Sequence, residues 1–181
     1  GDLQVGEIYS AQDLLKIMLL TSSNDAAAAF EDYAGGTDEF VRLMNRKARE
    51  LGMTSSLFYD ASGLSNLNSA TASDLLRLLR YIAESYPQIL QWTRIPSFLV
   101  QPVNDVESRL IMNINPLVAE PEFLGGKTGT SPHAGENLIA LFSLGEERIV
   151  MILLGSRNRA ADVERLLRWI GEAYSLLNSK S

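Results

Sequence analysis

The amino-acid sequence predicts an α+β fold, in which a mainly helical first part is followed by an antiparallel sheet covered by one helix. Three observations predict this class. Apolar residues recur at helical spacing as far as about residue 96, alternate as in strands from Ser97 onward, and return to helical spacing from about residue 160. The sequence therefore divides into a mainly helical part, residues 1–96, and a sheet-containing part, residues 97–181, which we expect to form one domain together.

Capping patterns mark the starts of two helices in the first part. Ser10 with Asp13 three residues later is a capping-box pattern, and it predicts a helix over residues 11–20. Thr71 with Asp74 repeats the pattern at the start of a strongly amphipathic helix.

Three more helices are predicted in this part from single residues. Asp25 opens an alanine-rich helix, and Thr37 is the expected N-cap of a helix that runs to Leu51. Pro87 is expected to begin a short helix, because proline is well tolerated in a first helical turn.

The second part is predicted as strands followed by one helix. Its apolar residues alternate in short runs that are separated by Asn, Asp, Gly and Pro, as in antiparallel sheets. The predicted elements are a hairpin over residues 98–101 and 109–113, three strands over residues 123–130, 137–144 and 148–155, and a helix over residues 160–177.

The composition excludes several classes of function. The formal net charge of −6 argues against a nucleic-acid partner. The sequence has no cysteine and one histidine, His133, which excludes disulfides, a thiolate nucleophile and a histidine-rich metal site. No apolar run approaches the roughly 20 residues that span a bilayer. The sequence predicts no metal site and no membrane segment within this chain.

One candidate for chemistry is the run Gly125-Gly126-Lys127-Thr128-Gly129. Its Gly-Lys-Thr imitates the end of a phosphate-binding loop, but Pro121 stands where that pattern needs glycine. On a strand, Lys127 would instead supply a compact positive charge for an anion, and the glycine would let a substrate backbone approach closely. Taken alone, the tripeptide is more often a surface turn with an exposed lysine.

A second candidate is Ser22-Ser23-Asn24, a polar break between two predicted helices. Taken alone, it is typical of helix capping. Functionally, a serine hydroxyl at such a junction could relay a proton, and the asparagine amide could orient a substrate carbonyl.

Together the two motifs resemble those of penicillin-binding proteins, in which a Ser-x-Asn element between helices precedes a Lys-Thr-Gly strand by about a hundred residues. The flanking residues resemble one branch of them, the low-molecular-weight D-Ala-D-Ala carboxypeptidases of the peptidase S11 family. The supporting segments are residues 19–27, residues 58–64 (Phe-Tyr-Asp-Ala-Ser-Gly-Leu), Asn113-Ile114-Asn115 and residues 127–138. Ser23 stands where that family usually has glycine. The resemblance covers nearly all 181 residues.

The resemblance implies a β-lactamase/transpeptidase-like fold and an extracytoplasmic enzyme. That enzyme removes the terminal D-Ala from peptidoglycan stem peptides through an acyl-enzyme, and β-lactam antibiotics acylate the same site. The resemblance implies no metal and no organic cofactor. The catalytic residues implied are Ser22, which passes a proton to the leaving D-Ala, Asn24, which orients the substrate amide, and Lys127, which grips the terminal carboxylate.

The substrate-binding residues expected from the resemblance lie on the Lys-Thr-Gly strand. Thr128 shares the carboxylate with the lysine, Gly129 permits close approach, and the backbone near Thr130 supplies part of the oxyanion hole. Arg109 is a further candidate for the carboxylate, and it is equally well explained as an outward-facing strand residue.

One departure from the family pattern is that the sequence contains no Ser-x-x-Lys, the motif that carries the family's nucleophile. The residues three before each lysine are Asp13, Met44, Leu124 and Leu177. We expect that the motif lies upstream of this chain, which alone would be inactive. A non-catalytic peptidoglycan-binding protein and a class A β-lactamase-like hydrolase are the alternatives.

The same expectation has a structural consequence for the last predicted strand. In the fold of that family, strands that precede the nucleophile pair with this last strand of the sheet. Without them, residues 148–155 would form an exposed apolar edge, which favours self-association.

Overall fold

The computed structural model describes residues 3–178 and confirms the α+β class. Five helices precede a hairpin, a three-stranded sheet and a last helix. The helices are α1 (Ala11–Thr21), α2 (Asn24–Tyr33), α3 (Thr37–Glu50), α4 (Ala72–Ser85), α5 (Pro87–Thr93) and α6 (Arg159–Asn178), and the strands are β1 (Ser97–Val100), β2 (Arg109–Met112), β3 (Phe123–Ser131), β4 (Gly135–Leu144) and β5 (Glu147–Ser156).

Both predicted capping boxes begin helices in the structure. The Ser10 hydroxyl accepts a hydrogen bond from the backbone N–H of Asp13 at 3.0 Å, and the Thr71 hydroxyl accepts one from Asp74 at 3.2 Å. These bonds satisfy N–H groups that the first helical turn leaves without a partner.

Two helix starts differ from the prediction. Helix α2 begins one residue earlier than Asp25, because the Ser23 hydroxyl caps it by accepting from the N–H of Ala26 at 3.1 Å. Thr37 is the first residue of α3 and not its N-cap, a position that Gly36 occupies without a side-chain bond. The Thr37 hydroxyl donates instead to the Glu31 carboxylate at 3.0 Å.

The three-stranded sheet, in the order β3-β4-β5, is antiparallel throughout and buries both of its faces. Alternate residues of β4 point to opposite sides, as strand geometry requires. Leu138, Ala140 and Phe142 face a core that includes Val163 of α6, so the predicted covering helix is confirmed. Leu141 and Ile139 face the second core, which α4 and α5 complete with Leu79 and Leu90.

Strands β1 and β2 form a separate two-stranded sheet, which packs against α1. The Asn113 side chain donates to the backbone carbonyls of Thr93 and Ile95, both at 3.0 Å. The next residue, Ile114, donates its N–H to the carbonyl of Leu20 at 3.0 Å. The hairpin thus packs against the helical part of the chain.

The segment before α1 is fastened to the loop between β1 and β2. Val103 donates its N–H to the carbonyl of Ile8 at 2.6 Å. The Asn104 side chain accepts from the N–H of Ile8 at 2.9 Å and donates to the carbonyl of Gly6 at 2.8 Å. We call these three bonds the Asn104 clamp.

Strand β5 pairs with β4 on one side, and no other strand of residues 3–178 pairs with its outer side. Its Leu154 side chain is 49% exposed. In the described part of the chain, no helix combines the length and apolar character that crossing a bilayer requires.

Candidate active site

Ser22 lies at the junction of α1 and α2 with a left-handed backbone, φ 55° and ψ 40°. Among the described residues it is the one non-glycine residue with positive φ. This conformation costs a non-glycine residue about 1–2 kcal/mol, and such strain persists where the surrounding structure imposes it. The abrupt turn between two helices leaves the Ser22 side chain exposed.

Lys127, near the middle of β3, reaches this serine. Its Nζ donates to the Ser22 Oγ at 2.9 Å and to the backbone carbonyl of Thr128 at 2.7 Å. Burial, and to a lesser extent the positive charge of Arg159, lower the pKa of Lys127 to about 8. The fold therefore joins two motifs that lie 105 residues apart in the sequence.

A cavity of about 520 Å³ opens beside this pair. Six of the seven candidate residues line it, namely Ser22, Asn24, Lys127, Thr128, Gly129 and Thr130. Its opposite wall is the loop over residues 58–68, with Met44 of α3. A larger cavity of about 650 Å³ lies beside α6 and the turn at Pro116, and it is lined by none of these candidates.

Asp60 organises the opposite wall. Its carboxylate accepts hydrogen bonds from the Ser62 hydroxyl at 2.7 Å, from the backbone N–H groups of Leu64 and Ser65 at 2.9 and 3.1 Å, and from the Asn68 side chain. Burial raises the pKa of Asp60, but these bonds outweigh it and hold the pKa below its ordinary value. The hydrogen bonds of the Asp60 carboxylate thus stay within its own loop.

Arg159, the first residue of α6, was not identified from the sequence. Its guanidinium donates to the carbonyl oxygens of Gly129 and Asn137 at 3.2 and 3.1 Å, and to the Thr130 hydroxyl at 3.3 Å. A signal was available, because a cation in a first helical turn is disfavoured by the helix dipole. Such a residue indicates a compensating contact elsewhere.

The end of α5 holds β3 in place. The buried Thr93 hydroxyl accepts a hydrogen bond from the N–H of Gly126 at 2.9 Å. Gly125 also has to be glycine, because its φ is 134° and a Cβ there would lie 2.9 Å from the Leu90 Cα.

Arg109 is the candidate that the structure places elsewhere. It lies on β2, where its guanidinium forms an ion pair of 2.6 Å with Glu7 and contacts the Tyr9 hydroxyl. It does not line the 520 Å³ cavity. Its position favours a structural role, in which it joins the segment before α1 to the hairpin.

The part of the chain that the structure describes contains no cluster of three or more His, Cys, Asp or Glu that could hold a metal ion.

Comparison with known proteins gives the family. The model of the peptidase S11 family, described as D-alanyl-D-alanine carboxypeptidase, matches residues 2–158. A D-alanyl-D-alanine endopeptidase of Pseudomonas aeruginosa is 33% identical over 93% of this chain and 56% of its own length. The D-alanyl-D-alanine carboxypeptidase DacC of Escherichia coli is 32% identical over 92% of this chain and 42% of its own length. The chain thus spans about half the length of these relatives.

Solved structures agree with the fold. A D-alanyl-D-alanine carboxypeptidase from Mycobacterium tuberculosis superposes with a TM-score of 0.75 at 31% identity, over 88% of this chain and 64% of that one. A penicillin-binding protein from Listeria monocytogenes, solved in a cefotaxime-bound form, gives a TM-score of 0.77 at 27% identity, over 91% and 72% of the two chains. With the penicillin-binding-protein fold and the family match both present, the chain belongs to the D-alanyl-D-alanine carboxypeptidase family, peptidase S11.

Proposed function

We propose that this chain is the substrate-binding part of a serine-type D-Ala-D-Ala carboxypeptidase. The enzyme removes the terminal D-Ala from peptidoglycan stem peptides outside the cytoplasm. The observation that carries the proposal is the 2.9 Å contact between the Lys127 ammonium and the Ser22 hydroxyl at the rim of the cavity. This contact joins the two motifs that the resemblance identified.

Within this proposal, Lys127 and Thr128 bind the terminal carboxylate of the substrate. A half-buried ammonium attracts an anion more strongly than a solvated one, because fewer waters screen it. Binding of the carboxylate in turn favours the charged lysine and raises its pKa from about 8. Gly129 leaves room for the substrate backbone, since its Cα faces open space.

Ser22 and Asn24 act at the scissile bond. A serine from a Ser-x-x-Lys segment attacks the carbonyl carbon, and the peptide C–N bond breaks as the acyl-enzyme forms. Ser22 passes a proton from Lys127 to the departing nitrogen, while the Asn24 amide orients the substrate. A backbone N–H near Thr130 stabilises the oxyanion. β-Lactams would acylate the same serine, as mimics of the substrate.

A chimera tests the proposal. The upstream residues of the Pseudomonas aeruginosa relative are fused before Leu3, and release of D-Ala from a stem pentapeptide is measured together with labelling by a fluorescent penicillin. We expect the chimera to be active and labelled, and the 181-residue chain to be neither. Lys127→Ala should abolish most activity of the chimera. Penicillin labelling of the 181-residue chain, or near-full activity of the Lys127→Ala chimera, would overturn the proposal.

An endopeptidase is a second candidate, since the Pseudomonas aeruginosa relative carries that name. The two activities differ in whether the substrate must end in a free carboxylate. The chimera should cleave a peptide ending in D-Ala-D-Ala and lose that activity when the carboxylate is amidated. Retained cleavage of the amidated peptide would favour the endopeptidase.

A further inference from the structure

Ser22 and Lys127 have the geometry of a nucleophile and its base, and both are present in this chain. The Lys127 Nζ lies 2.9 Å from the Ser22 Oγ, within the range for direct proton transfer. Serine–lysine pairs are an established variant of the serine nucleophile and its histidine base. The role proposed above for Ser22 is that of a proton relay, which does not use its hydroxyl as a nucleophile.

The backbone presents the Ser22 hydroxyl for attack. The left-handed turn between α1 and α2 leaves this side chain exposed at the rim of the 520 Å³ cavity. A serine on a strained, sharp turn in front of a helix is the arrangement that exposes the nucleophile in the α/β-hydrolases. Helix α2 begins two residues later, at Asn24, and the N-terminus of a helix favours negative charge close to it.

The surroundings of Lys127 favour the neutral amine that a base requires. Burial and the charge of Arg159 lower its pKa to about 8. The charged groups around it are Arg159 from α6 and Asp60 on the opposite wall of the cavity. The Asp60 carboxylate is occupied by Ser62, Asn68 and its own loop.

We propose that Ser22 and Lys127 form a serine–lysine dyad that is acylated by small aryl esters in this chain alone. The Ser22 hydroxyl gives its proton to the Lys127 amine while the Oγ–carbonyl bond forms. The bond between the carbonyl carbon and the aryloxy oxygen then breaks, the phenolate departs as an anion, and the lysine returns the proton to solvent. Water hydrolyses the resulting ester and restores the Ser22 hydroxyl.

The dyad is restricted to such esters for a chemical reason. The nitrogen of an amide needs a proton in order to leave, whereas a nitrophenolate does not. When Ser22 is the nucleophile, it no longer relays a proton to the leaving group. The dyad therefore spares D-Ala-D-Ala and β-lactams, and its activity is independent of the function proposed for the longer enzyme.

The test treats the 181-residue chain with p-nitrophenyl acetate and follows the burst of p-nitrophenolate from neutral to alkaline pH. Peptide mass mapping should place the acetyl group on Ser22, and hydroxylamine should remove it, as it removes esters but not lysine amides. The burst rate should rise with an apparent pKa near 8, that of Lys127.

Three variants distinguish the dyad from general reactivity. Ser22→Gly, which suits the left-handed backbone, should remove the burst and the label. Lys127→Arg keeps the charge but is no base at these pH values, so the rate should fall by about 100-fold or more. Ser85→Ala, at an exposed serine at the end of α4, should react as the parent does.

Acetyl found only on lysines or the N-terminus, a burst unchanged in Ser22→Gly, or a pH profile unchanged in Lys127→Arg would overturn the dyad. Any of these results leaves the chimera experiment intact, because that experiment reads D-Ala release and depends on a different serine.

Discussion

The hydroxyl of Thr93 accepts a hydrogen bond of 2.9 Å from the backbone N–H of Gly126, the residue before Lys127. The same hydroxyl donates to the carbonyl of Leu90 at 2.8 Å, so its hydrogen-bonding capacity is used inside the protein. Because Thr93 ends α5 and Gly126 lies on β3, this contact sets the position of the lysine-bearing strand against the helices.

Thr93→Val should therefore destabilise the protein by about 1–3 kcal/mol, because the buried N–H of Gly126 loses its acceptor without gaining water. Urea denaturation measures the effect. Thr93→Ser, which keeps the hydroxyl, is the matched control and should retain most of the stability. Equal midpoints for Thr93→Val and the parent would show that this bond does not hold the strand.

Gly126→Ala should be more damaging than the same change at Gly129. A Cβ on Gly126 would collide with the Ile139 carbonyl and lie 2.8 Å from the Ala140 Cα, both of which are backbone atoms of β4. We expect a loss of about 3 kcal/mol, because the backbone of a central strand cannot give way cheaply. A Cβ on Gly129 meets nothing within 4 Å, so Gly129→Ala should fold normally. Similar unfolding midpoints for the two variants would contradict this.

The low pKa of Lys127 predicts how stability depends on pH. In the folded protein the pKa is about 8, against 10.5 for an unperturbed lysine, so the unfolded chain binds more protons between these values. The stability contributed by this site should therefore rise as pH increases from about 8 to 10.5, and be lost as pH falls back through 8. The difference between the parent and Lys127→Met, measured by urea denaturation, should change by on the order of 3 kcal/mol across that window. A constant difference would mean that the lysine is not perturbed.

Arg159→Gln should raise the pKa of Lys127, because it removes a positive charge that disfavours the charged lysine. NMR titration of the lysine side chain measures the shift. Arg165→Gln on the same helix is the matched control, since that guanidinium is exposed and paired with Asp162. The pKa of Lys127 should be higher in Arg159→Gln than in Arg165→Gln. Equal values in the two variants would show that the charge of Arg159 does not act on Lys127.

Leu154→Lys should reduce self-association of this chain, because a charge on an edge strand opposes pairing with another copy. Sedimentation velocity measures the oligomeric state. Tyr33→Lys replaces an exposed aromatic side chain at the end of α2, away from β5, and should leave the association unchanged. A parent chain that sediments as a clean monomer would remove the basis for the self-association that we predict.

The features that could be predicted from the sequence are those in which the cause is local. Ser10 and Thr71 cap their helices through residues three positions away, and the alternation along β4 follows from strand geometry alone. The predicted N-cap at Thr37 was wrong because a threonine hydroxyl can either cap a helix or hydrogen-bond to another side chain. In the structure it donates to the Glu31 carboxylate.

The candidate site depended on long-range contacts, which no local pattern encodes. Lys127 and Ser22 were paired through family resemblance, and not through any physical rule that brings residues 105 positions apart together. The partner of Arg109, Glu7, lies 102 residues earlier in the chain, beyond the reach of any periodicity. The unfavourable position of Arg159 at a helix start can be read from the sequence. The carbonyl acceptors on β3 and β4 that explain this position are visible only in the folded chain.

The Asn104 clamp determines how the chain would respond to mechanical load. A pulling force applied at Leu3 reaches the Asn104 side chain and Val103 before it reaches α1, because their three hydrogen bonds hold the intervening residues. These bonds, together with the contacts of Arg109 with Glu7 and Tyr9, would have to break before α1 could unravel and draw Ser22 away from Lys127. Asn104→Ala should therefore lower the first rupture force in single-molecule extension, because fewer bonds then hold the segment before α1 to the hairpin loop.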